Sequence, residues 1–391
     1  MNRRAIDTTN KDKRSANMGN QPPLAGITIL DLSELLPGPY ATQHLVELGA
    51  RVIKVERPGG DGARRMFPGL FQAINRGKES ITLDLKSDAD RAVLKKLVKT
   101  TDVLIESNRP GVATRLGVDY ATFSAINPRL IYCSISGYGQ TGPSRNWPGH
   151  DMNYAAMAGA VAISGRPDGP PEHTTGVPIG DIAAASFALI SILAALRARD
   201  VTGKGQYLDV AIADSLTSWI MPRYGVWDLA HRQGVESGKA DILQRPGYGV
   251  FETADGQYLT LGAIETPFFR SLIHVTGLSQ FDDAAYDEYP ARKRATDKIN
   301  SALAACIIQK DYAYWAEAFE REDVPFSRVN SLAELAEDPQ LAARGMIRQA
   351  GDANVIAYPV PMDGIDGVAA KVPAAGEHGK DILASLDRED C

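Results

Sequence analysis

Over the first third of the chain, apolar residues come in short and nearly unbroken runs. Residues 26–32 (GITILDL), 51–56 (RVIKVE), 80–85 (SITLDL), 103–106 (VLIE) and 130–135 (LIYCSI) each read as a buried strand. Helically spaced stretches separate them, among them SELLPGPYATQHLVELGA after the first run and about 89–99 after the third. Strand, helix and strand repeated in this way predict a parallel, doubly wound sheet, a Rossmann-like α/β domain. From 182 to 196 (IAAASFALISILAAL) fifteen residues pass without a charge. This run reads as a buried central helix, too short and too alanine-rich to span a bilayer. The stretch TGKGQYLDVAIADSLTSW then predicts a turn, a strand near 206–210 and a further helix.

Segment 222–247 breaks the pattern, being irregular and rich in Arg, Gly and Pro, and marks a domain boundary. Beyond it, GVFETADGQYLTLGAIE reads as a hairpin turning at Ala254-Asp255-Gly256, followed by helices at about 267–276 and 311–321. From Ser331 the stretch LAELAEDPQLAARG regains helical character. The expected division is a disordered tail over 1–22, a large α/β domain over 23–225, a smaller α+β domain with its linkers over 226–335, and a C-terminal segment, 336–391, that returns to the large domain.

Composition narrows the class. The chain has 391 residues, 44% of them hydrophobic and 23% charged, with a net charge of −6, which argues for a soluble enzyme and against a nucleic-acid or membrane partner. Between residues 51 and 78, however, seven basic side chains face two acidic ones, and an anionic ligand is the inference for that segment. Cys133, Cys306 and Cys391 are too scattered for a disulfide framework or a zinc site. With a polar N-terminus and DREDC at the other end in place of an SKL-type signal, the cytoplasm is the expected location. The first turn reads LLPGPYA rather than GxGxxG, so no dinucleotide is indicated, and P-loop, HExxH and GxSxG patterns are missing too. No metal is expected.

Two polar residues stand out between Pro148 and Asp181. His150 follows Pro148-Gly149 and should sit where a loop becomes an element, with its imidazole presented. Asp181 precedes the uncharged run and reads as its N-cap, where the helix dipole would hold the carboxylate ionised. Tyr154 lies four residues beyond His150, Trp147 just before it, and Met152 and Met157 read as core filling. His44, on the first helix, has no evident spaced partner.

Taken in order, LDLSELLPGPYAT, VIKVERPGGD, ITLDLK, IESNRPGVATRLG, CSISGYGQTGP, GHDMNY, VPIGD and GKGQYLDVAIAD resemble the family III CoA-transferases, a family that also contains the α-methylacyl-CoA racemases. The resemblance covers nearly all of 24–390 and implies CoA thioester chemistry, an interlocked homodimer and no cofactor beyond the CoA moiety of the substrate. It places CoA contacts on Leu36, Pro37, Arg57, Leu83, Ser107, Asn108, Arg109 and Arg115, with Asp151 beside the thioester. In the transferases the residue matching Asp181 is a nucleophile that passes through an anhydride to an enzyme-bound CoA thioester. In the racemases it is one of two bases, the other being the His of a GHD motif. Gly149-His150-Asp151, the segment Gly262-Ala-Ile-Glu265, and the lack of a run of consecutive glycines at 225–265 all resemble the racemase branch. The expected chemistry is therefore inversion of the α-carbon of a 2-methylacyl-CoA through an enolate, His150 and Asp181 exchanging protons from opposite faces and Glu265 orienting the imidazole. Backbone amides near Asp151, or those opening the helix at Asp181, are the expected donors to the enolate oxygen. CoA transfer between carboxylic acids through Asp181 is the alternative, and a non-catalytic CoA-thioester-binding protein is a third.

Overall fold

The computed structural model describes residues 21–173, 176–365, 367–369 and 371–389. The tail expected over 1–22 lies outside these, Gln21 and Pro22 excepted. Contacts divide the chain into a first unit of residues up to Ala160, 174–220 and 339 onward, and a second of Val161–His173 and Met221–Asp338.

The first unit is built on six strands: β1 (Thr28–Leu32), β2 (Arg51–Glu56), β3 (Glu79–Thr82), β4 (Val103–Glu106), β5 (Ile131–Ser136) and β6 (Tyr207–Ala211). They lie in the order β3-β2-β1-β4-β5-β6 with every neighbouring pair parallel. Both faces are covered, which is why β4 and β5 are buried at every residue and their sequences do not alternate. On one face Ile29, Val103, Ile105 and Ile131 pack with Ala41 and Leu45 of α1 (Pro37–Glu47). On the other, Leu30, Ile53, Leu104 and Tyr132 meet Leu94, Leu97 and Val98 of α2 (Asp88–Val98) and Ile382 and Leu386 from the C-terminal helix. The C-terminal segment is tied to the β3 edge by Gly77 N donating to Lys371 O (2.8 Å) and His378 N to Ser80 O (2.9 Å).

Two helices frame the interval from His150 to Asp181. One, α3, spans Asp151–Met157; the other, α4, spans Ile179–Thr202. At 24 residues α4 outruns its uncharged stretch, and by length and composition it would be able to cross a membrane, contrary to the expectation from the sequence. Its Ala184, Ala185, Ala188 and Ile192 nonetheless belong to the core of the first unit, and Arg199 near its end pairs with Asp102 at 2.9 Å. After β6 the chain forms α5 (Ile212–Trp219).

In the second unit, β7 (Tyr248–Glu252), β8 (Tyr258–Gly262) and β9 (Phe326–Arg328) form an antiparallel sheet, with the hairpin turning at Gly256 in the left-handed region (φ 71°). Phe251, Leu259, Phe269, Leu303, Trp315 and Phe319 fill its core. Three expectations are corrected here. Segment 222–247 is not irregular: its first half is α6 (Met221–Arg232), held by an Asp228–Arg232 pair at 2.9 Å one turn apart and by Trp227 stacked on His231 at 5.1 Å. Residues 161–173 belong with this unit, because Lys239 Nζ donates to Pro170 O at 2.9 Å. The helix expected from Ser331 is broken into a single turn at Glu334–Ala336 and a short helix at Pro339–Ala343, since Asn330 Nδ2 folds back to Asp338 Oδ2 (2.8 Å) and Pro339 can only begin a helix.

Candidate active site

A cavity of about 260 Å³ opens beyond the C-terminal ends of β1, β4 and β5. Strand order reverses between β1 and β4, which is where sheets of this kind hold their ligands. Glu34, Leu35 and Pro37 reach it after β1; Ser107, Asn108 and Arg109 after β4; Arg145, Trp147 and His150 on the way to α3; and Asp181 from α4.

The loop after β1 is fixed from three directions. Glu34 N donates to Ser107 Oγ (3.0 Å), Leu35 N donates to Asp61 Oδ1 (3.3 Å), and Lys54 Nζ donates to Ser33 O (2.9 Å). Leu35 itself is left-handed (φ 66°), a conformation that costs a non-glycine residue about 1–2 kcal/mol and persists only where its surroundings enforce it. Beneath the loop lie two buried ion pairs, Lys54–Asp61 at 2.9 Å and Lys78–Asp31 at 3.0 Å. Burial pushes Lys78 down to about 8 in spite of Asp31, whereas Asp31 sits well below the usual carboxylate range because Lys78 and Lys54 outweigh its own burial.

Most of the cations in the basic segment have carboxylate partners of their own. Of its seven cations, Arg51 pairs with Glu79, Lys54 with Asp61, Arg57 with Glu34, Arg64 with Glu56, Arg76 with Glu47 and Lys78 with Asp31. Several of those carboxylates lie outside the segment, so the local count of charges overstated what is left for a ligand.

His150 is the N-cap of α3, extended (φ −131°, ψ 176°) and exposed, with its backbone N–H donating to Asn153 Oδ1 at 2.9 Å. The loop before it rests on Tyr154, a buried side chain whose hydroxyl donates to Gly149 O at 2.6 Å. A Cβ on Gly137 would stand 2.4 Å from the Tyr154 ring, and one on Gly149 2.8 Å, so both positions require glycine. Burial, and then the charge of Asp181, push the Tyr154 phenol up to about 12.

Asp181 is not the N-cap the sequence led one to expect. That position is Pro178, and Asp181 is the third residue of α4. The capping carboxylate is Asp151, reaching across from α3: its Oδ1 accepts from Gly180 N (2.7 Å) and Asp181 N (3.1 Å). These amides are therefore taken and are not available to an enolate oxygen. Nor does the dipole hold Asp181 ionised at low pH. Burial, joined by the charge of Asp151, raises its carboxyl to about 7. Among the described residues none donates a hydrogen bond to that carboxylate, so its lone pairs are free on the cavity wall.

Leu36 is the N-cap of α1, Arg57 is exposed and bonded to Glu34 (3.0 Å), and Arg115 is exposed in the last turn of Val112–Leu116. The Leu83 side chain is in the core at 4% exposure. Glu265 belongs to the second unit, at the N-cap of α7 (Thr266–Thr276). Met157 is half exposed rather than core filling, Trp147 is exposed on the cavity wall, and His44 does have a partner, with Nδ1 2.9 Å from Glu47 Oε2. Glu34, Arg145 and the Asp31–Lys78 pair escaped the sequence reading; no spacing marked them, because Glu34 meets Arg57 and Asp31 meets Lys78 from separate strands and loops, and Arg145 sits in a turn with no periodic pattern.

The model of CoA-transferase family III matches residues 24–379. An acetyl-CoA:oxalate CoA-transferase of Acetobacter aceti is 35% identical over 352 residues, covering 88% of this chain and 90% of that one. The human alpha-methylacyl-CoA racemase is 32% identical over 373 residues, covering 92% of each. The crystal structure of a CAIB/BAIF family protein from Brucella suis superposes with a TM-score of 0.84 at 30% identity, over 94% of this chain and all of the other. Fold, motif order and these likenesses agree, and the chain belongs to CoA-transferase family III.

Proposed function

We propose that the protein transfers CoA between carboxylic acids, with Asp181 as the nucleophile. The observation that carries this reading is the Asp181 carboxylate, partly buried on the wall of a small cavity with no hydrogen bond from the described residues to compete for its lone pairs. Asp181 attacks the donor thioester carbonyl, the C–S bond breaks, and a mixed anhydride and CoA thiolate result. The thiolate attacks the aspartyl carbonyl of the anhydride, releasing the donor acid as a carboxylate and leaving CoA on Asp181 as a thioester. An acceptor carboxylate attacks this thioester and expels thiolate, which returns to the acceptor's acyl carbonyl and frees Asp181. Every step moves a carboxylate or a thiolate, and no group has to remove a proton from carbon.

This reverses the preference formed from the sequence. The GHD and GAIE segments pointed to the racemase branch, yet the transferase relative is the more similar, at 35% against 32% identity. One observation favours inversion as a second reading: His150 lines the same cavity as Asp181. A single experiment separates the two. The chain is incubated in deuterated water with acetyl-CoA and, separately, with a 2-methylacyl-CoA, and both protein and thioester are analysed by mass spectrometry. CoA attached to the peptide carrying Asp181, absent from Asp181→Asn, is the expected result; deuterium at the α-carbon with no covalent CoA overturns the transfer reading and puts inversion first.

A further inference from the structure

We infer that a second cavity in the first unit, of about 530 Å³, binds a neutral small molecule through an amide group. It lies against α1, residues 69–76 and the hairpin of β10 (Ile347–Ala350) and β11 (Ala353–Ile356), and it shares no residue with the cavity at Asp181. Residues of its wall carry polar atoms that the protein leaves unpaired. Gln43 lines it from α1 at 3% exposure, and neither the nitrogen nor the oxygen of its amide has a hydrogen-bond partner among the described residues. Arg76 lines it too, at 5% exposure. Its terminal nitrogens donate to Glu47 Oε1 (3.2 Å), Ile356 O (3.3 Å) and Ala73 O, but its Nε–H has no partner. Buried polar atoms are nearly always hydrogen-bonded, so three orphans on two residues that line one cavity point to an occupant.

The unpaired atoms select the ligand. A side-chain amide offers a donor and an acceptor next to each other, and another amide, a carboxamide or a lactam, answers both at once. That match holds whichever way round the Gln43 oxygen and nitrogen are placed. The ligand carbonyl has a second lone pair, which suits the Arg76 Nε–H. Charge points the same way. Arg76 and Glu47 cancel each other at 3.2 Å, and His44 Nδ1 lies 2.9 Å from the same carboxylate, so an ionised ligand would give up its hydration for little in return. Ile74, Val355, Ala357 and Val372 supply apolar wall, and the volume falls within the roughly 300–1,000 Å³ of pockets for small molecules. The body of the molecule that carries the amide is therefore apolar.

Benzamide is the probe, titrated into the full-length protein by calorimetry and followed by NMR of labelled isoleucine and valine methyl groups. Saturable one-site binding is expected, with the methyl signals of Ile74, Val355 and Val372 shifting together. Those shifts identify the cavity, because Pro37 at the start of α1 borders the first one and stands only roughly 9 Å along the helix from Gln43. N,N-dimethylbenzamide, which has no N–H, and benzoate, which is charged, should each bind about tenfold more weakly or worse, about what one lost hydrogen bond is worth. Gln43→Met keeps the length of the side chain and removes its amide, and should weaken benzamide by a similar factor. Ala353→Trp fills the cavity from an exposed position of β11, leaves the core untouched and should abolish binding. The inference is overturned if wild type binds no benzamide, if either analogue binds as well, if the shifts appear only around the first cavity, or if both variants keep the wild-type affinity.

Discussion

At Asp181 chemistry and stability pull in opposite directions. Its carboxyl titrates near 7 because burial and Asp151 both resist the charge, yet the nucleophile must be ionised. Transfer measured as kcat/KM should therefore climb with pH through about 7 and level off above it. Removing the neighbouring charge with Asp151→Asn should move that midpoint downward, while weakening the cap on α4 by about 1 kcal/mol; a pH–rate profile of both proteins checks the shift. The stability sign follows from the same shift. Folded Asp181 holds its proton up to about 7 whereas the unfolded chain releases it near 4, so stability from this group is full below pH ~4 and is lost as pH rises towards 7. Asp181→Asn should abolish transfer and, at pH 8, stabilise the fold by about 1–3 kcal/mol, an advantage that vanishes near pH 4 in denaturant titrations. The sequence placed Asp181 at the right helix end but gave it the wrong role. The cap comes instead from Asp151, thirty positions away, and only the packing of α3 on α4 brings it there.

At the scale of elements, the sheet was legible chiefly from its central strands, because β4 and β5 are buried on both faces and write themselves as continuous apolar runs. Failures occurred where an element is not defined by a buried face. Helix α6 buries none of its residues, so no apolar stripe announced it, and the stretch after Ser331 had helical composition but was stopped by Pro339. The strand ends carry what periodicity cannot show, namely charges bonded to one another inside the sheet. Lys78 donates to Asp31 (3.0 Å), Thr42 (2.7 Å), Asn75 (2.8 Å) and Pro39 O (3.0 Å), joining β1, α1 and the approach to β3 beneath the cavity. Lys78→Met would leave Asp31 charged and with one partner fewer in a site closed to water, and should cost about 3–5 kcal/mol. Chemical denaturation at pH 7 measures it. A loss below 1 kcal/mol would mean that Lys54 alone can hold Asp31.

For the whole molecule, the apolar side chains that a single chain leaves in water bear on association. Met221, Tyr224, Val226, Trp227 and Leu229 are between 39% and 67% exposed along α6. Side chains of this size left in water along one helix are the kind that a partner surface covers. A dimer, which the sequence resemblance implied, would supply the cover without any further partner. If it does, the exposed stretch should behave as interface. Sedimentation equilibrium should return twice the chain mass across the micromolar range, and Trp227 fluorescence should report a buried indole rather than the half-exposed one of the single chain. Charge placed there, as in Tyr224→Asp with Val226→Asp, should lower the thermal midpoint and make it depend on protein concentration, because stability and association are then linked. The reverse result, a monomer at every concentration with a water-exposed Trp227, would show that α6 lies bare in solution, and its unburied sequence would need a different explanation.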